Sequence, residues 1–222
     1  MYVTRPRLPA RRGTSAPCGC PTALAPRTGG ISAGRLSAEP IEGARELPGG
    51  WVLPGLVDAH AHLTLDFAGV DSIEHGPLLD ADLLEQMARQ GSAWTPTLWT
   101  VVGVTERLAA APGPLGGIAR EVLARLRAMI PLAADLGVPV LAGGDEAPHG
   151  ALVQEVARLR QFGLTPADAI AAASTSARAY LGLPTLAPGA PADLVTFAAD
   201  PRSDLRALAR PAAVVFDGRR IV

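Results

Sequence analysis

The stretch GWVLPGLVDAHAHLTL, residues 50–65, decides how the rest of the chain is interpreted. Its apolar run is broken by a Pro-Gly pair and predicts a buried strand with a turn inside it. Two of the chain's four histidines, His60 and His62, stand near the end of the run. Because side chains alternate along a strand, both imidazoles point to one face, an arrangement that suits two nitrogen ligands of a divalent cation. Paired histidines also occur on surfaces and in cores without a metal.

Composition excludes several function classes. The chain has 222 residues, 48% of them hydrophobic, which is enough for one domain with a substantial core. Only 18% of residues are charged and the net charge is −1, so no nucleic-acid partner is expected. No apolar run is long enough to cross a bilayer, and no secretory apolar segment follows the Arg-rich N-terminus. The sequence therefore predicts a cytoplasmic protein without a membrane partner, with Cys18 and Cys20 as free thiols.

The chain divides into three predicted parts. Residues 1–45 are rich in Pro and Arg and show no periodicity, which predicts an irregular or disordered arm. Residues 46–186 alternate short apolar runs with helical patterns, as α/β folds with a parallel sheet do. Residues 187–222 carry short strands, with a turn at Asp217-Gly218.

Local signals place the predicted elements. Helices are expected at 78–91, 115–137, 150–163 and 165–182, and short strands at 70–76, 92–98 and 138–145. Asp80 is a predicted N-cap and Gly91 a predicted stop for the first helix. Thr165 is the predicted cap of the last helix, with Pro166 in its first turn.

Further ligand-type side chains follow two of the predicted strands. VDSI leads into Glu74 and His75, and VPVLAGG leads into Asp145. In parallel α/β folds functional groups cluster at the carboxyl ends of strands, so His75 and Asp145 join the histidine pair as candidate ligands. Considered alone, Asp145 also fits a helix cap or loop acid, and His75 a core or surface histidine. His149, in PHG before a helix, fits a cap or an exposed side chain, with substrate contact as the second interpretation.

Several motifs together resemble the amidohydrolase superfamily of metal-dependent hydrolases. LPGLVDAHAHL resembles its first-strand motif, and AGVDSIEHG with the following LLDADLLEQMARQGSAWTPTL resembles strands six and seven of its imidazolonepropionase-like and prolidase-like branch. VPVLAGGDEAPHG is similar to the eighth-strand aspartate segment, and PGAPADLVTFAADP with VVFDGRRIV to the C-terminal β-sandwich. The resemblance covers residues 45–222. It implies an α/β fold, an incomplete TIM-type (β/α) barrel with a remnant of a small C-terminal β-sandwich.

The resemblance also implies a site and a reaction. It assigns His60, His62 and Asp145 to a divalent metal, by expectation zinc, and matches His75 to a histidine that binds a second metal or contacts substrate. Asp145 would move protons between the attacking water and the leaving nitrogen, which makes Asp145 and His75 the implied catalytic residues. His149 is a further candidate for substrate contact, from its position in the sequence and not from the resemblance. The implied reaction is hydrolysis of an amide or cyclic-amide C–N bond in a small-molecule substrate.

Part of the family pattern has no counterpart in this chain. The first-strand motif ends near Leu65 and the strand-six motif begins near Ala68, so strands two to five are missing and no Lys exists to bridge two metals. We expect the first strand to pair with the eighth, which would bring His60 and Asp145 together. Three interpretations remain. The first is a hydrolase competent alone or as a homo-oligomer joined at exposed strand edges, and the second is a truncated, inactive homologue with at most weak metal binding. The third, which depends on the exposed edges alone, is a non-enzymatic oligomerisation module.

Overall fold

The computed structural model describes residues 29–60, 71–146 and 150–222. The fold is mixed α/β, as the alternating pattern predicts. The strands are β1 (Gly30–Ser32), β2 (Arg35–Ser37), β3 (Trp51–Pro54), β4 (Ser72–Glu74), β5 (Ala93–Thr95), β6 (Leu194–Phe197), β7 (Ala213–Phe216) and β8 (Arg219–Arg220). The helices are α1 (Ala81–Gln90), α2 (Leu98–Ala109), α3 (Pro114–Asp135), α4 (Leu152–Gln161), α5 (Pro166–Ala172) and α6 (Thr175–Tyr180), with a 3-10 helix at Leu205–Ala209.

A run of neighbouring segments positions the candidate site. Strands β4 and β5 pair in parallel, with Ile73 opposite Trp94. On the other side of β5, Trp94 forms a parallel bridge with Val140. The Ala59 amide then donates to the Ala142 carbonyl at 3.0 Å. The first apolar run therefore lies beside the 138–145 segment, as expected from the sequence.

Residues 50–60 contribute first to an antiparallel sheet and then to the segments that carry the candidate ligands. Its first half is β3, which pairs antiparallel with β6 in a four-stranded sheet of order β3-β6-β7-β8. After the Pro-Gly break, the Gly55 amide donates to the Asp193 carbonyl at 2.9 Å and the Val57 amide to the Ala173 carbonyl at 2.8 Å. The turn thus redirects the chain from the antiparallel sheet toward the segments that carry the candidate ligands.

Local capping signals are confirmed where they are strongest. The Asp80 side chain accepts a hydrogen bond from the Leu83 amide at the start of α1, and Gly91 ends that helix at φ 74°. The Thr165 side chain likewise accepts from the Asp168 amide at the start of α5. These signals act within four residues of the chain, so the sequence alone can specify them.

Two predicted elements form differently because distant segments compete for their hydrogen bonds. The helix expected at 165–182 is divided into α5 and α6. At the break, the Ala172 and Ala173 carbonyls accept from Ala142 and Val57, and the Ser174 hydroxyl donates to the Pro54 carbonyl at 2.9 Å. The strand expected at 138–145 reduces to the single bridge at Val140.

Two further elements were not predicted. Strands β1 and β2 form an antiparallel hairpin within 29–45, where an irregular arm was expected. Its turn places Ala33 at φ 48° and Gly34 at φ 77°, and Ala rarely adopts that conformation. Helix α2 was not predicted because three of its first five residues, LWTVV, are β-branched, a residue type that favours strands. The three-part division at residues 45 and 186 stays a prediction, and residues 1–28 lie outside the described ranges.

One apolar cluster packs side chains of the helices against side chains of the strands. Its largest fully buried members include Trp94, Leu126, Ile130, Phe162 and Phe197. Burial of such side chains supplies about 1.5–3 kcal/mol each. Across the described ranges, no helix combines the length and the apolar character needed to cross a bilayer.

Candidate metal centre

Three ligand-type side chains meet where three chain segments end. His60, His75 and Asp145 each offer a ligand atom, and those atoms lie within 4.8 Å of one another. His60 Nε2 is 3.3 Å from Asp145 Oδ1, and His75 Nδ1 is 3.9 Å from Asp145 Oδ2. The two imidazole centroids are 5.0 Å apart. The sequence proposed these residues from their positions after apolar runs, and the fold brings them together.

The donor set suits a divalent cation. Two imidazoles and one carboxylate, with a position left open, are typical of catalytic zinc sites. A tetrahedral ion with ligands at about 2.0–2.1 Å holds neighbouring ligand atoms roughly 3.3 Å apart. The His60–Asp145 distance of 3.3 Å fits this spacing. The pair involving His75 is wider at 3.9 Å, so binding an ion requires a small inward movement there.

Glu74 orients the His60 ring. His60 Nδ1 lies 2.6 Å from Glu74 Oε2, and Glu74 Oε1 accepts from the Ser72 hydroxyl at 2.7 Å. The His60 side chain is only 4% exposed. A carboxylate at Nδ1 favours the tautomer that carries its proton there, so the Nε2 lone pair faces Asp145. This is the arrangement in which a histidine acts as a metal ligand.

Asp58 and Gly143 hold the His60 and Asp145 segments together. One Asp58 carboxylate oxygen accepts from the His60 amide at 3.2 Å and from the Gly144 amide at 2.9 Å. A Cβ atom at Gly143 would lie 2.5 Å from both His60 Cβ and Thr95 Cγ2. Glycine is therefore required at this position because the backbones approach too closely for a side chain.

His75 has a left-handed backbone conformation, at φ 61°. Its amide donates to the Thr95 carbonyl and its carbonyl accepts from the Trp94 indole, both at 2.9 Å. Its Nδ1 lies 2.6 Å from the hydroxyl of Thr97, which is also left-handed at φ 47°. Strained non-glycine residues of this kind cluster at functional sites, where the surroundings hold them in place.

The first turn of α2 contacts both sides of the site. The Thr100 hydroxyl donates to the Asp145 carbonyl at 3.0 Å, and the Trp99 indole donates to Glu146 at 2.7 Å. The helix's first two amides, from Leu98 and Trp99, donate to the Glu155 carboxylate at 2.9 and 2.6 Å. Glu155 reaches this turn from α4.

Glu155 has an unusual protonation equilibrium. Its side chain is fully buried, and this burial raises the pKa of its carboxyl group to about 7 from the ordinary 4.5, against the lowering effect of the two backbone amides. The negative charge of Asp58 raises the pKa further and Arg158 lowers it. The native protein therefore retains a proton that the unfolded chain releases between these two pH values.

That retained proton predicts a pH-dependent stability. The native state binds more protons between about pH 4.5 and 7, so the free energy of unfolding falls as pH rises through this window. We expect the difference in unfolding free energy between wild type and Glu155→Gln to shrink by about 2–3 kcal/mol from pH 5 to pH 8. Urea denaturation of both proteins at the two pH values measures it, and parallel profiles would contradict it.

The described residues test only part of the predicted ligand set. His62 and His149 lie outside them, so their roles stay predictions. The sequence did not identify Glu74 or Glu155 as part of the site. Glu74 is adjacent to His75, and Glu155 interrupts the apolar face of α4, three residues after Leu152 and four before Leu159. A charged residue at such a helix position was the available signal.

Comparison with known proteins decides the family. The family model described as "Amidohydrolase family" matches residues 66–221. The chain belongs to the amidohydrolase family. The match contains His75 and Asp145, whereas His60 lies upstream of it.

Similar proteins agree with this assignment. An uncharacterized protein of Mycobacterium tuberculosis (strain H37Rv) is 36% identical over 173 residues, covering 75% of this chain and 44% of its own length. A solved Xaa-Pro dipeptidase with bound methionine in the active site superposes with a TM-score of 0.58 at 25% identity, covering 69% of this chain and 40% of its own. A prolidase complexed with N-methylphosphonate-L-proline gives 0.57 at 28% identity, with the same coverage of both chains. This amidohydrolase-family chain thus spans less than half the length of these relatives.

Proposed function

We propose that this chain is a metal-dependent hydrolase that cleaves an amide C–N bond. The observation that carries the proposal is the convergence of His60, His75 and Asp145, whose ligand atoms lie within 4.8 Å in a chain of the amidohydrolase family. The proposed ligands of the ion are His60, His62 and Asp145, with His75 beside them as a substrate contact or a ligand of a second ion. The proposed ion is zinc because nitrogen and carboxylate donors suit it.

In the proposed reaction the ion activates water and substrate, and residues of the chain transfer the proton and contact the substrate. A bound divalent ion lowers the pKa of water toward 7 and polarises a substrate carbonyl. Asp145 is 24% exposed and Glu74 25%, while His60 is 4% exposed, so solvent and substrate reach the carboxylate while the ring stays fixed. The Asp145 carboxylate accepts the proton of the attacking water and delivers it to the leaving nitrogen. His75, one-third exposed, faces the same opening and contacts the substrate or a second ion.

We propose a dipeptide or related acyl amino acid as the substrate. The support comes from two structural neighbours, a Xaa-Pro dipeptidase and a prolidase. Substrates of this class carry a carboxylate beside the scissile amide, and a nearby cation favours their binding. Contact of His149 with the substrate belongs to this proposal.

We propose that the architecture is an incomplete TIM-type barrel. The order of neighbouring segments, β4, β5, 139–142 and 57–60, supports it, together with coverage of only 40–44% of the relatives. The same coverage favours a second candidate function: an inactive homologue that binds metal weakly. Strand β4 pairs only with β5 among the strands of the described ranges, so its outer edge offers a contact to a second copy of the chain.

Metal analysis and an activity assay together test the proposal. The purified chain is stripped, reconstituted with Zn²⁺ or Co²⁺, and assayed on Xaa-Pro dipeptides, N-acyl amino acids and cyclic ureides. We expect about one ion per chain and hydrolysis of the first or second class, abolished by a chelator and restored by metal. A bound ion without turnover supports the inactive homologue. A protein that binds no ion and hydrolyses none of the substrates contradicts both candidates.

A further inference from the structure

The N-cap residue of helix α2 does not cap the helix with its side chain. Thr97 occupies the N-cap position, but its side chain accepts no hydrogen bond from the helix's first turn. An N-cap threonine ordinarily has an extended backbone and its hydroxyl accepts from the second or third helical amide. Here the Thr97 backbone is left-handed and its hydroxyl lies 2.6 Å from His75 Nδ1. The hydroxyl is therefore directed at a candidate ligand and not at the helix.

Glu155 takes over the capping that Thr97 does not provide. Its two carboxylate oxygens accept from the Leu98 and Trp99 amides at 2.9 and 2.6 Å, from a position 57 and 56 residues later in the chain. The carboxyl group is fully buried, where an amide left without a hydrogen bond is destabilising. A carboxylate at a helix N-terminus is also stabilised by the helix dipole.

The capped turn is the one that contacts the candidate metal centre on two sides. Thr97 meets the His75 ring, and Thr100 donates from its hydroxyl to the Asp145 carbonyl at 3.0 Å. Both contacts come from a single helical turn, whose amides Glu155 holds. A shift of that turn therefore moves both contacts together, because the backbone of one helical turn is rigid.

We propose that Glu155 is a positioning residue for the candidate metal centre, and that it acts through the first turn of α2 to fix the His75 ring and the Asp145 backbone. Glu155 acts through the amides of Leu98 and Trp99, from which its carboxylate accepts. Because Glu155 caps the helix, the Thr97 hydroxyl remains available to hydrogen-bond His75 Nδ1 and to hold that ring in the metal-free protein. The inference rests on the proposed function insofar as it concerns metal binding.

The test compares two substitutions on neighbouring positions of α4 in the full chain at pH 8. Glu155→Gln removes one of the two acceptor oxygens, while Val156→Ala removes buried packing beside it without touching the α2 amides. Two quantities are measured: the ¹⁵N signal of the His75 ring in metal-free protein, assigned by its loss in His75→Ala, and the Co²⁺ dissociation constant. Denaturation with urea shows which fraction of each variant is folded.

We expect Glu155→Gln to displace the His75 signal and to weaken Co²⁺ binding about tenfold or more, while Val156→Ala leaves the signal in place and the affinity within about twofold. An unmoved His75 signal in Glu155→Gln, or an equal displacement in Val156→Ala, overturns the inference. If Glu155→Gln does not fold, Glu155→Asp, whose shorter side chain reaches the turn less well, is expected to displace the same signal. A wild type that binds no Co²⁺ contradicts the proposed function, and the metal-free His75 signal still decides the role of Glu155.

Discussion

Replacing Asp145 with Asn is expected to remove most of the metal binding and nearly all of the hydrolytic activity. The carboxylate is the only negatively charged member of the three-residue ligand group, and its oxygen lies 3.3 Å from His60 Nε2. A neutral amide is a weaker donor and cannot accept a proton from water. Because residues behind the ligands already cost 10–100-fold in affinity when replaced, loss of the charged ligand should weaken Co²⁺ binding by at least about 100-fold, or roughly 3 kcal/mol.

A matched substitution separates this effect from a general change in charge. Asp82→Asn removes one carboxylate from the exposed first turn of α1, where it only interacts with the helix dipole. It should leave Co²⁺ affinity and turnover unchanged and lower stability by only about 0.3–1 kcal/mol. Calorimetric titration with Co²⁺ and dipeptide hydrolysis measure the two variants side by side. Equal affinities for Asp145→Asn and wild type would remove Asp145 from the proposed ligand set.

The sequence predicts the candidate site best where position along a strand determines function. His60, His75 and Asp145 each follow an apolar run, and residues after such runs meet at one edge of an α/β sheet. Their convergence required no knowledge of side-chain contacts. Local capping at Asp80 and Thr165 was predictable for a related reason, since both the donor and the acceptor lie within one turn of the chain.

The sequence predicts poorly whatever depends on partners far along the chain. Helix α2 has its first amides satisfied by Glu155, which is 57 residues from Leu98. Thr97, just before the helix, is a residue type that often caps helices, but its hydroxyl lies at His75 Nδ1 and accepts nothing from α2. The break between α5 and α6 has the same origin, because Ala142 and Val57 donate to the carbonyls that end α5. The local sequence pattern cannot show that a distant segment will take over the hydrogen bonds at the end of a helix.

A hydrogen bond from the buried core holds the strained backbone of His75, which carries a candidate ligand. A non-glycine residue at φ 61° costs about 1–2 kcal/mol, which the surroundings must offset. Two hydrogen bonds hold it: its amide donates to Thr95, and its carbonyl accepts from the fully buried Trp94 indole. The ring that fills the core therefore also fixes the peptide that carries a candidate ligand.

Trp94→Ala should accordingly cause a large loss of stability. The ring is fully buried in β5, between β4 and the 139–142 segment, so truncation leaves a large cavity and removes the indole donor from the His75 carbonyl. Phe or Trp to Ala substitutions in cores cost about 3–5 kcal/mol. Since small domains have only about 5–15 kcal/mol of stability, much of the total would be lost. Urea denaturation at pH 7 measures the change in midpoint.

Trp51→Ala is the matched control, because it removes the same side chain from a half-buried place. Trp51 lies in β3, with the Arg202 guanidinium 5.5 Å from its ring centroid. We expect Trp51→Ala to lower the free energy of unfolding by about half as much as Trp94→Ala, because the smaller buried area of Trp51 contributes less to stability.

Trp94→Phe isolates the hydrogen bond between the indole and His75. It keeps most of the ring but leaves the His75 carbonyl without the indole donor, which should lower the free energy of unfolding by about 1–3 kcal/mol. If Trp94→Phe weakens Co²⁺ binding while Trp51→Ala does not, the indole holds the ligand-bearing peptide; if both leave Co²⁺ affinity unchanged, Trp94 stabilises the core alone.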